Sequence, residues 1–227
     1  MKRKLLKITL VSCVALFAQG SSAQTFFARG GMNVSNINYI KGDGTQDNSF
    51  TSKVGFQIGG GADLALGDNM GVEASLLFTL RGSNFSMSET DPIQISSEGV
   101  MNLNYIDIPI NFRYSAEVGD GKLNIYLGPK LGIGLNGNFK GETKMTYLGN
   151  TGTTSYDNKV SFGSSDTNDF KTLDLSLGFG IGYEIEKFHI VASYNYGLTN
   201  HIHKPVDKES VLQNMFAITL GYRFNEE

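Results

Sequence analysis

The sequence predicts an all-β protein, an eight-stranded antiparallel up-and-down transmembrane β-barrel that follows an export signal. Three observations lead to this prediction: an N-terminal leader, eight segments in which apolar and polar residues alternate, and connectors that alternate between short and long. Alternation with a period of two is typical of a strand with one apolar face. Short turns at one end and long loops at the other are typical of barrels that cross an outer membrane.

Residues 1–23 have the features of a secretory signal peptide, with predicted cleavage between Ala23 and Gln24. The apolar run at 8–18 is too short for a membrane-spanning helix, which takes roughly 20 residues. The basic head before it consists of Lys2, Arg3, Lys4 and Lys7. A lipobox ending at Cys13 is an alternative, but the apolar run continues past that residue, which favours the signal peptide. Residues 24–227 then form one outer-membrane barrel domain without cysteine.

Composition excludes several other classes of protein. Only 18% of the residues are charged, which is too few for a disordered chain or a coiled coil. The net charge is −3, so a basic nucleic-acid-binding protein is excluded as well. The 28 glycines have no three-residue period, and a collagen-like chain is therefore ruled out. A glycine- and aromatic-rich β protein remains.

Each of the eight alternating segments has about ten residues or more, enough to cross a bilayer at a tilt. The segments lie at 25–36, 53–66, 70–81, 105–114, 123–135, 173–185, 188–198 and 216–224. Long connectors at 36–52, 82–99, 137–169 and 199–213 follow every other segment, and short turns follow the rest. Pro109 and Pro129 fall inside two segments, where they predict bulges or irregular pairing because proline cannot donate to a ladder.

One face of the segments is apolar and is expected to meet lipid, whereas the other carries glycine and charge. An eight-stranded barrel is narrow and is filled by its own side chains. We therefore expect the charged residues to pair in the interior as a structural polar plug, because isolated buried charges are costly. The ten predicted plug residues are Arg29, Asp63, Glu73, Arg81, Asp107, Arg113, Lys130, Asp174, Glu184 and Arg223. A lumen filled in this way argues against a passive pore.

Several segments resemble the PorT-like outer-membrane β-barrel proteins of the Bacteroidota type. NYIDIPINFRY at 104–114 resembles the family's aromatic–aliphatic–acid–Ile–Pro motif. YLGPKLGIGLN, LSLGFGIGYEI, YNYGLTN and LGYRF at 126–136, 175–185, 194–200 and 220–224 resemble its later motifs in the same order. The resemblance implies an outer-membrane barrel but no activity, although the founding member assists protein secretion. Three residues follow Phe224, whereas related barrels end on an aromatic residue.

The sequence predicts no catalytic site, no cofactor site and no metal site. His189 faces inward near Ser193 and Glu184, where membership of the polar plug is favoured over catalysis. His201 and His203 lie in the last long connector with Asp207 nearby, and two histidines at this spacing are suited to Zn or Cu. The sequence specifies no third ligand, and a solvated loop is the alternative.

We therefore expect an integral outer-membrane protein without enzymatic activity, which has a structural or interaction role through its long extracellular loops. That role is a secretion-accessory or an adhesive one. Its expected partners are outer-membrane lipid and a protein or polysaccharide at the loops, with no nucleic acid; the oligomeric state stays open. Two alternatives are a secreted soluble barrel that binds a small apolar ligand and a lipid-modifying barrel enzyme.

Overall fold

The computed structural model describes residues 24–90 and 93–224, and within these ranges it contains twelve β-strands. The strands are β1 (Gln24–Ile40), β2 (Gln46–Asp47), β3 (Phe50–Ala65), β4 (Met70–Glu89), β5 (Gln94–Val118), β6 (Gly121–Tyr147), β7 (Asn150–Val160), β8 (Phe162–Gly163), β9 (Phe170–Lys171), β10 (Leu173–Ile185), β11 (Phe188–Gly197) and β12 (Ser210–Arg223). The predicted signal peptide and the last three residues lie outside the described residues. No helix in the described ranges is long and apolar enough to cross a membrane.

Eight of the strands pair in an antiparallel ring, in the order β1, β3, β4, β5, β6, β10, β11 and β12. The ring closes because β12 pairs with β1, and a walk along paired residues measures its stagger. The walk passes from Gln24 through Leu64, Val72, Phe112, Leu127, Phe179, Tyr194 and Phe216. It returns to β1 at Val34, so the closed ring is staggered by ten residues, from 24 to 34. A staggered closed ring requires tilted strands and leaves no open sheet edge.

The two faces of the ring differ as the alternation predicts. Exposed apolar side chains form the outer surface, and the inner surface is mainly polar, charged or glycine. Near the short turns, the rings of Phe188, Tyr222 and Phe224 contact one another at centroid distances of 5.3 and 5.4 Å. An apolar outer band with aromatic residues at its margin is the surface that a membrane-embedded barrel presents to lipid.

Two of the predicted long loops are mostly strand, which corrects the interpretation of residues 82–99 and 137–169. β4, β5 and β6 continue well past the ring, and β7 adds a further strand to the side of β6. The last residue of β6 that pairs with β10 is Ile133, so residues 134–147 belong to this projecting sheet. We refer to residues 83–89, 94–104, 134–147 and 150–160 as the projecting sheet. About half of its residues are exposed and most of the others are only partly buried, so its sequence shows no strong apolar alternation.

Irregular pairing occurs near the prolines, but no register shift is found there. Near Pro109, the ladder of β5 with β4 and the ladder of β5 with β6 are each interrupted for two residues and then resume in the same register. Pro129 lies opposite Leu177 in the β6–β10 ladder. The register shifts lie elsewhere, between Ser52 and Phe56 of β3 and at Asn104–Tyr105 of β5. The latter marks the place where the projecting sheet leaves the ring.

A small apolar core closes the loop end of the ring. Its buried members are Ile37, Leu103, Tyr105 and Val160, and six partly buried residues pack against them: Phe50, Met101, Phe139, Phe162, Phe170 and Val211. Phe162 and Phe170 belong to the connector between β7 and β10, where β8 and β9 pair in parallel. This connector therefore folds over the mouth of the ring instead of extending into solvent.

Candidate functional sites in the lumen and on the projecting sheet

The structure places all ten predicted plug residues inside the ring, nine of them buried and Arg113 partly buried. Each of the ten has an ion-pair partner of opposite charge within the set. They separate into two clusters. The upper cluster lies near the long loops, and the lower cluster lies near the short turns and the two termini of the ring.

The upper cluster is organised around Arg81 on β4. Its Nη1 donates to Oδ2 of Asp174 at 2.9 Å, and its Nη2 donates to Oδ1 of Asp107 at 3.0 Å. Its guanidinium lies over the ring of Tyr105, with 3.6 Å from Cζ to the ring centroid. Lys130 adds a second cation, with its Nζ 3.7 Å from Oδ2 of Asp107. Arg81 on β4 therefore joins β5 and β10, the two strands that flank β6 in the ring, through two hydrogen bonds that a single point charge does not make.

The lower cluster connects four strands of the ring, β3, β5, β10 and β12. Oδ2 of Asp63 lies 2.9 Å from Nη1 of Arg223 and 2.8 Å from Nε of Arg113. Arg223 also contacts Oε2 of Glu184 at 2.9 Å. A separate pair, Arg29 with Glu73, lies beside it. Three of these six residues, Arg113, Glu184 and Arg223, lie in the segments that resemble the PorT-like motifs, so those motifs supply half of the charges of this cluster.

Glycine on the inner face makes room for these side chains. A Cβ atom built on Gly132 would lie 2.5 Å from Nη2 of Arg81 and 3.0 Å from Oδ1 of Asp107. A Cβ on Gly71 would lie 2.9 Å from Nη2 of Arg113. At these two positions the absence of a side chain makes room for an arginine that points into the lumen.

The last long connector is not the solvated loop that the sequence suggested for His201. That side chain is fully buried, its Nε2 lies 3.4 Å from Oδ1 of Asp174, and its ring contacts Phe170 edge-on at 5.5 Å. His203 is only partly buried and Asp207 is exposed. The described residues contain no group of three or more His, Cys, Asp or Glu side chains arranged to hold a metal ion.

Asn200 ties the base of this connector together. Its Oδ1 accepts hydrogen bonds from the backbone amides of Ile202 at 3.1 Å and Val211 at 3.0 Å, and its Nδ2 donates to the carbonyl of Glu209 at 2.9 Å. The neighbouring Thr199 accepts from the amide of Leu175 at 2.7 Å. The segment YNYGLTN therefore ends in the two side chains that fasten the connector to the ring and direct His201 inward.

His189 lies inside the ring, as predicted, but the structure does not bring it to a nucleophile. Its ring contacts Phe27 edge-on at a centroid distance of 5.7 Å, and its backbone pairs opposite Glu184 and Gly221. Neither ring nitrogen has a hydrogen-bond partner among the described residues. Nucleophilic catalysis requires a hydroxyl or thiol within hydrogen-bond reach of the base, and His189 has none there.

The lumen has room for a few water molecules at most near its middle, where a cavity of about 50 Å³ is bordered by Tyr126, Lys130 and Asn195 among others. Soluble barrels that bind apolar ligands need a larger, apolar interior. This part of the lumen is small and charged, which argues against the alternative of a soluble apolar-ligand carrier.

The inner face of the projecting sheet and the neighbouring strands carries a row of aromatic side chains that sequence reasoning missed. Successive ring centroids are 5.2 to 6.4 Å apart, and the row consists of Tyr39, Phe50, Phe85, Phe139 and Tyr156. Tyr156 lies above Gly99 and Gly141, where an added Cβ would approach its hydroxyl to 2.9 and 2.5 Å. The sequence does contain a signal for this row. Aromatic residues are spaced along an otherwise polar stretch, and glycines stand opposite them in the paired strands.

Comparison with known proteins gives a family and a set of similar structures. The family model described as "Outer membrane protein beta-barrel domain" matches residues 17–203. No curated protein matches the sequence significantly. Among solved structures, Ail of Yersinia pestis is 17% identical and covers 88% of this chain and 99% of its own, with a TM-score of 0.39. A major outer membrane protein of Thermus thermophilus is 12% identical, with 89% and 100% covered and a TM-score of 0.42. The outer membrane protease OmpT of Escherichia coli is 10% identical, with 91% and 98% covered and a TM-score of 0.32.

Proposed function

The chain belongs to the outer membrane protein beta-barrel domain family, and we propose that it anchors a non-enzymatic extracellular interaction module in the outer membrane. The observation that carries this proposal is the projecting sheet. Residues 134–147 of β6 extend past the ring for roughly 45 Å of strand at about 3.3 Å per residue. A long, ordered sheet outside the membrane is a surface for a partner, because exposed segments on a rigid scaffold commonly carry the function of a protein.

The barrel itself supports a structural role. We propose that the ten charged residues form a plug whose function is to hold the strands in register, since each is already paired within the set. Charges that are paired with one another are less available to a substrate, although several nitrogen and oxygen atoms of these side chains have no hydrogen-bond partner among the described residues. The extracellular module is therefore the part of the molecule that remains available for binding.

The test is to trim the hairpin without disturbing the ring. Residues 140–157 are replaced by Asn-Gly, which joins the paired residues Phe139 and Asn158 by a two-residue turn. Heat-modifiable gel mobility and recovery in the outer-membrane fraction check that the barrel still folds. We expect proteins or glycans that crosslink to the intact chain on cells to be lost from the trimmed chain. An identical crosslinking pattern for both chains would overturn the proposal.

Two narrower proposals accompany this one. The ordered match to the PorT-like motifs supports membership of that Bacteroidota-type group, and with it a secretion-accessory role. Comparing the proteins secreted with and without the gene tests that role, and an unchanged secretome refutes it. Cleavage after Ala23 is tested by sequencing the N-terminus of the mature protein, which should begin at Gln24.

Lipid analysis tests the alternative that the chain is a lipid-modifying barrel enzyme. If the chain modifies lipid, the acyl composition of the outer leaflet changes when the gene is deleted, and His189→Ala reproduces that change. We expect no change in either strain, because His189 lacks a nucleophile partner among the described residues.

A further inference from the structure

β7 is an exposed sheet edge of unusual length and regularity. It pairs with β6 from Tyr147–Asn150 to Gly137–Val160 without a shift in register. No strand within 24–90 or 93–224 pairs with its other side. Almost all of its residues are exposed. Natural proteins usually blunt such edges with proline, a bulge, a cluster of lysines or a covering loop.

The turn at Leu148–Gly149 determines which backbone groups face outward. Both residues have positive φ, 49° and 80°, as in the two-residue type I′ turn. In such a hairpin the closing pair, Tyr147 with Asn150, exchanges both hydrogen bonds, and the pattern then alternates along the ladder. The N–H and C=O groups of the odd-numbered residues therefore point away from β6. These residues are Thr151, Thr153, Ser155, Asp157 and Lys159.

The charge along this edge is low. The sequence of β7 is NTGTTSYDNKV, with one acid and one base in eleven residues and no proline. The acid is neutralised within the sheet, because Lys140 lies 2.9 Å from Oδ2 of Asp157, and this hydrogen bond holds the pKa of the Asp157 carboxyl below its usual value. The edge thus offers backbone groups flanked mainly by small, uncharged, β-compatible side chains.

We infer that β7 binds a partner protein by β-strand addition, in which an extended, largely uncharged and β-branched segment pairs antiparallel with residues 151–159. Main-chain hydrogen bonds supply affinity in this mode of recognition, and alternate side chains supply specificity. This inference rests on the proposed function and names its binding mode. Five outward-facing residues give a ladder of the length of an ordinary strand.

A second copy in the same membrane is a poor occupant. Copies in one membrane are related by a twofold axis along the membrane normal, and that rotation leaves the direction of β7 relative to the membrane unchanged. Two β7 strands related in this way cannot run antiparallel. If they ran side by side in the same direction, the axis would place each residue beside the same residue of the other copy. Each N–H would then face an N–H and each C=O a C=O, so the two strands could not hydrogen-bond. The geometry therefore favours a segment of a different protein.

The experiment uses the full chain in detergent micelles and a synthetic peptide with the sequence of residues 150–160 as the probe strand. A second peptide with alternate amides N-methylated cannot pair and serves as the control peptide. Peptide binding is measured by fluorescence anisotropy, and backbone protection is measured by hydrogen exchange. We expect the first peptide to bind and the N-methylated peptide to bind at least tenfold more weakly. On binding, exchange should slow at residues 151, 153, 155, 157 and 159, whereas the even-numbered amides should already be protected.

A matched pair of variants separates backbone from side-chain recognition. Ser155→Pro removes an outward-facing N–H without removing a hydrogen bond to β6, whereas Ser155→Ala keeps that N–H. We expect Ser155→Pro to weaken peptide binding at least tenfold and Ser155→Ala to leave it within twofold. Equal binding by both variants, or no binding of the peptide at 1 mM, would overturn the inference. If partner capture on cells is lost on trimming the hairpin but survives Ser155→Pro, the proposed function stands and the strand-addition mode fails.

Discussion

Removing Arg81 tests whether the lumen charges act as one network. The side chain is buried, is hydrogen-bonded to Asp107 and Asp174, and lies against Tyr105. Arg81→Leu leaves two carboxylates in the lumen with only Lys130, at 3.7 Å, and His201, at 3.4 Å, as counter-groups. Breaking a buried ion pair from one side costs about 3–5 kcal/mol. Because about 1.4 kcal/mol is a factor of ten, the folded-to-unfolded ratio should fall by roughly two to more than three powers of ten.

The assay is urea unfolding in lipid vesicles, followed by far-UV circular dichroism and by gel mobility, since the chain has no tryptophan to report on folding. The double variant Arg81→Leu/Asp174→Asn is the decisive control, because it leaves Lys130 and Asp107 as a one-to-one pair. We expect it to recover at least half of the lost stability, although it carries one more substitution. A loss below about 1 kcal/mol for Arg81→Leu, or a double variant no more stable than the single one, would refute the reasoning.

Three further predictions follow from the packing. Gly132→Val should destabilise the barrel by about 1–3 kcal/mol, because the valine side chain would overlap Arg81. Gly152→Val is the control and should cost far less, because no atom lies within 4 Å of the added Cβ. Equal losses of stability in urea unfolding would contradict this prediction. His201→Ala should release the last connector, so trypsin should cleave after Lys208 faster while gel mobility is retained. Val206→Ala, at an exposed position, is the control, and an unchanged cleavage rate for His201→Ala would contradict the role of His201 in holding the connector. In planar bilayers the intact chain should give no steady conductance, and discrete conductance steps would show that the lumen is open.

The ring is largely predictable because lipid and the lumen impose opposite demands on successive residues. All eight ring strands appear in the sequence as alternating segments, and β10 has the predicted bounds. The same alternation is enough to separate the ten charged residues from the apolar face. Within the ring, each strand has lipid on one face and the lumen on the other, so the pattern is strong there.

The projecting sheet is not predictable in this way, because only a few of its residues are buried and it has no continuous apolar face. β7 consists mostly of Thr, Asn, Ser and Gly, a composition that is also typical of loops, so nothing in it distinguishes a strand from a coil. Its strand state follows from the ladder with β6 and from the turn at Leu148–Gly149. The Leu-Gly-Asn sequence of that turn is the available local signal.

His201 shows a second limit of sequence reasoning. A histidine in a polar connector has no periodic pattern to place it, and the neighbouring Lys204 and Asp207 suggest solvent. Its burial results from long-range contacts: Asn200 fastens the connector to β12, and Phe170 arrives from a different connector. Phe170 and Asp174 lie far from His201 in the sequence, and single-sequence periodicity does not report contacts over such separations.

The lumen and the projecting sheet differ in how many of their polar groups are available for binding. The charged residues of the lumen are paired with one another, the loop end is closed by an apolar core, and the cavity near the middle of the lumen has room for only a few waters. Transport or catalysis inside such a barrel would require several buried ion pairs to break together, at a cost of several kcal/mol for each. The projecting sheet carries the opposite arrangement, because the outward-facing backbone groups of β7 lack strand partners among the described residues. Binding at β7 requires no rearrangement of the barrel, so a partner can bind this edge while the ring stays folded in the membrane.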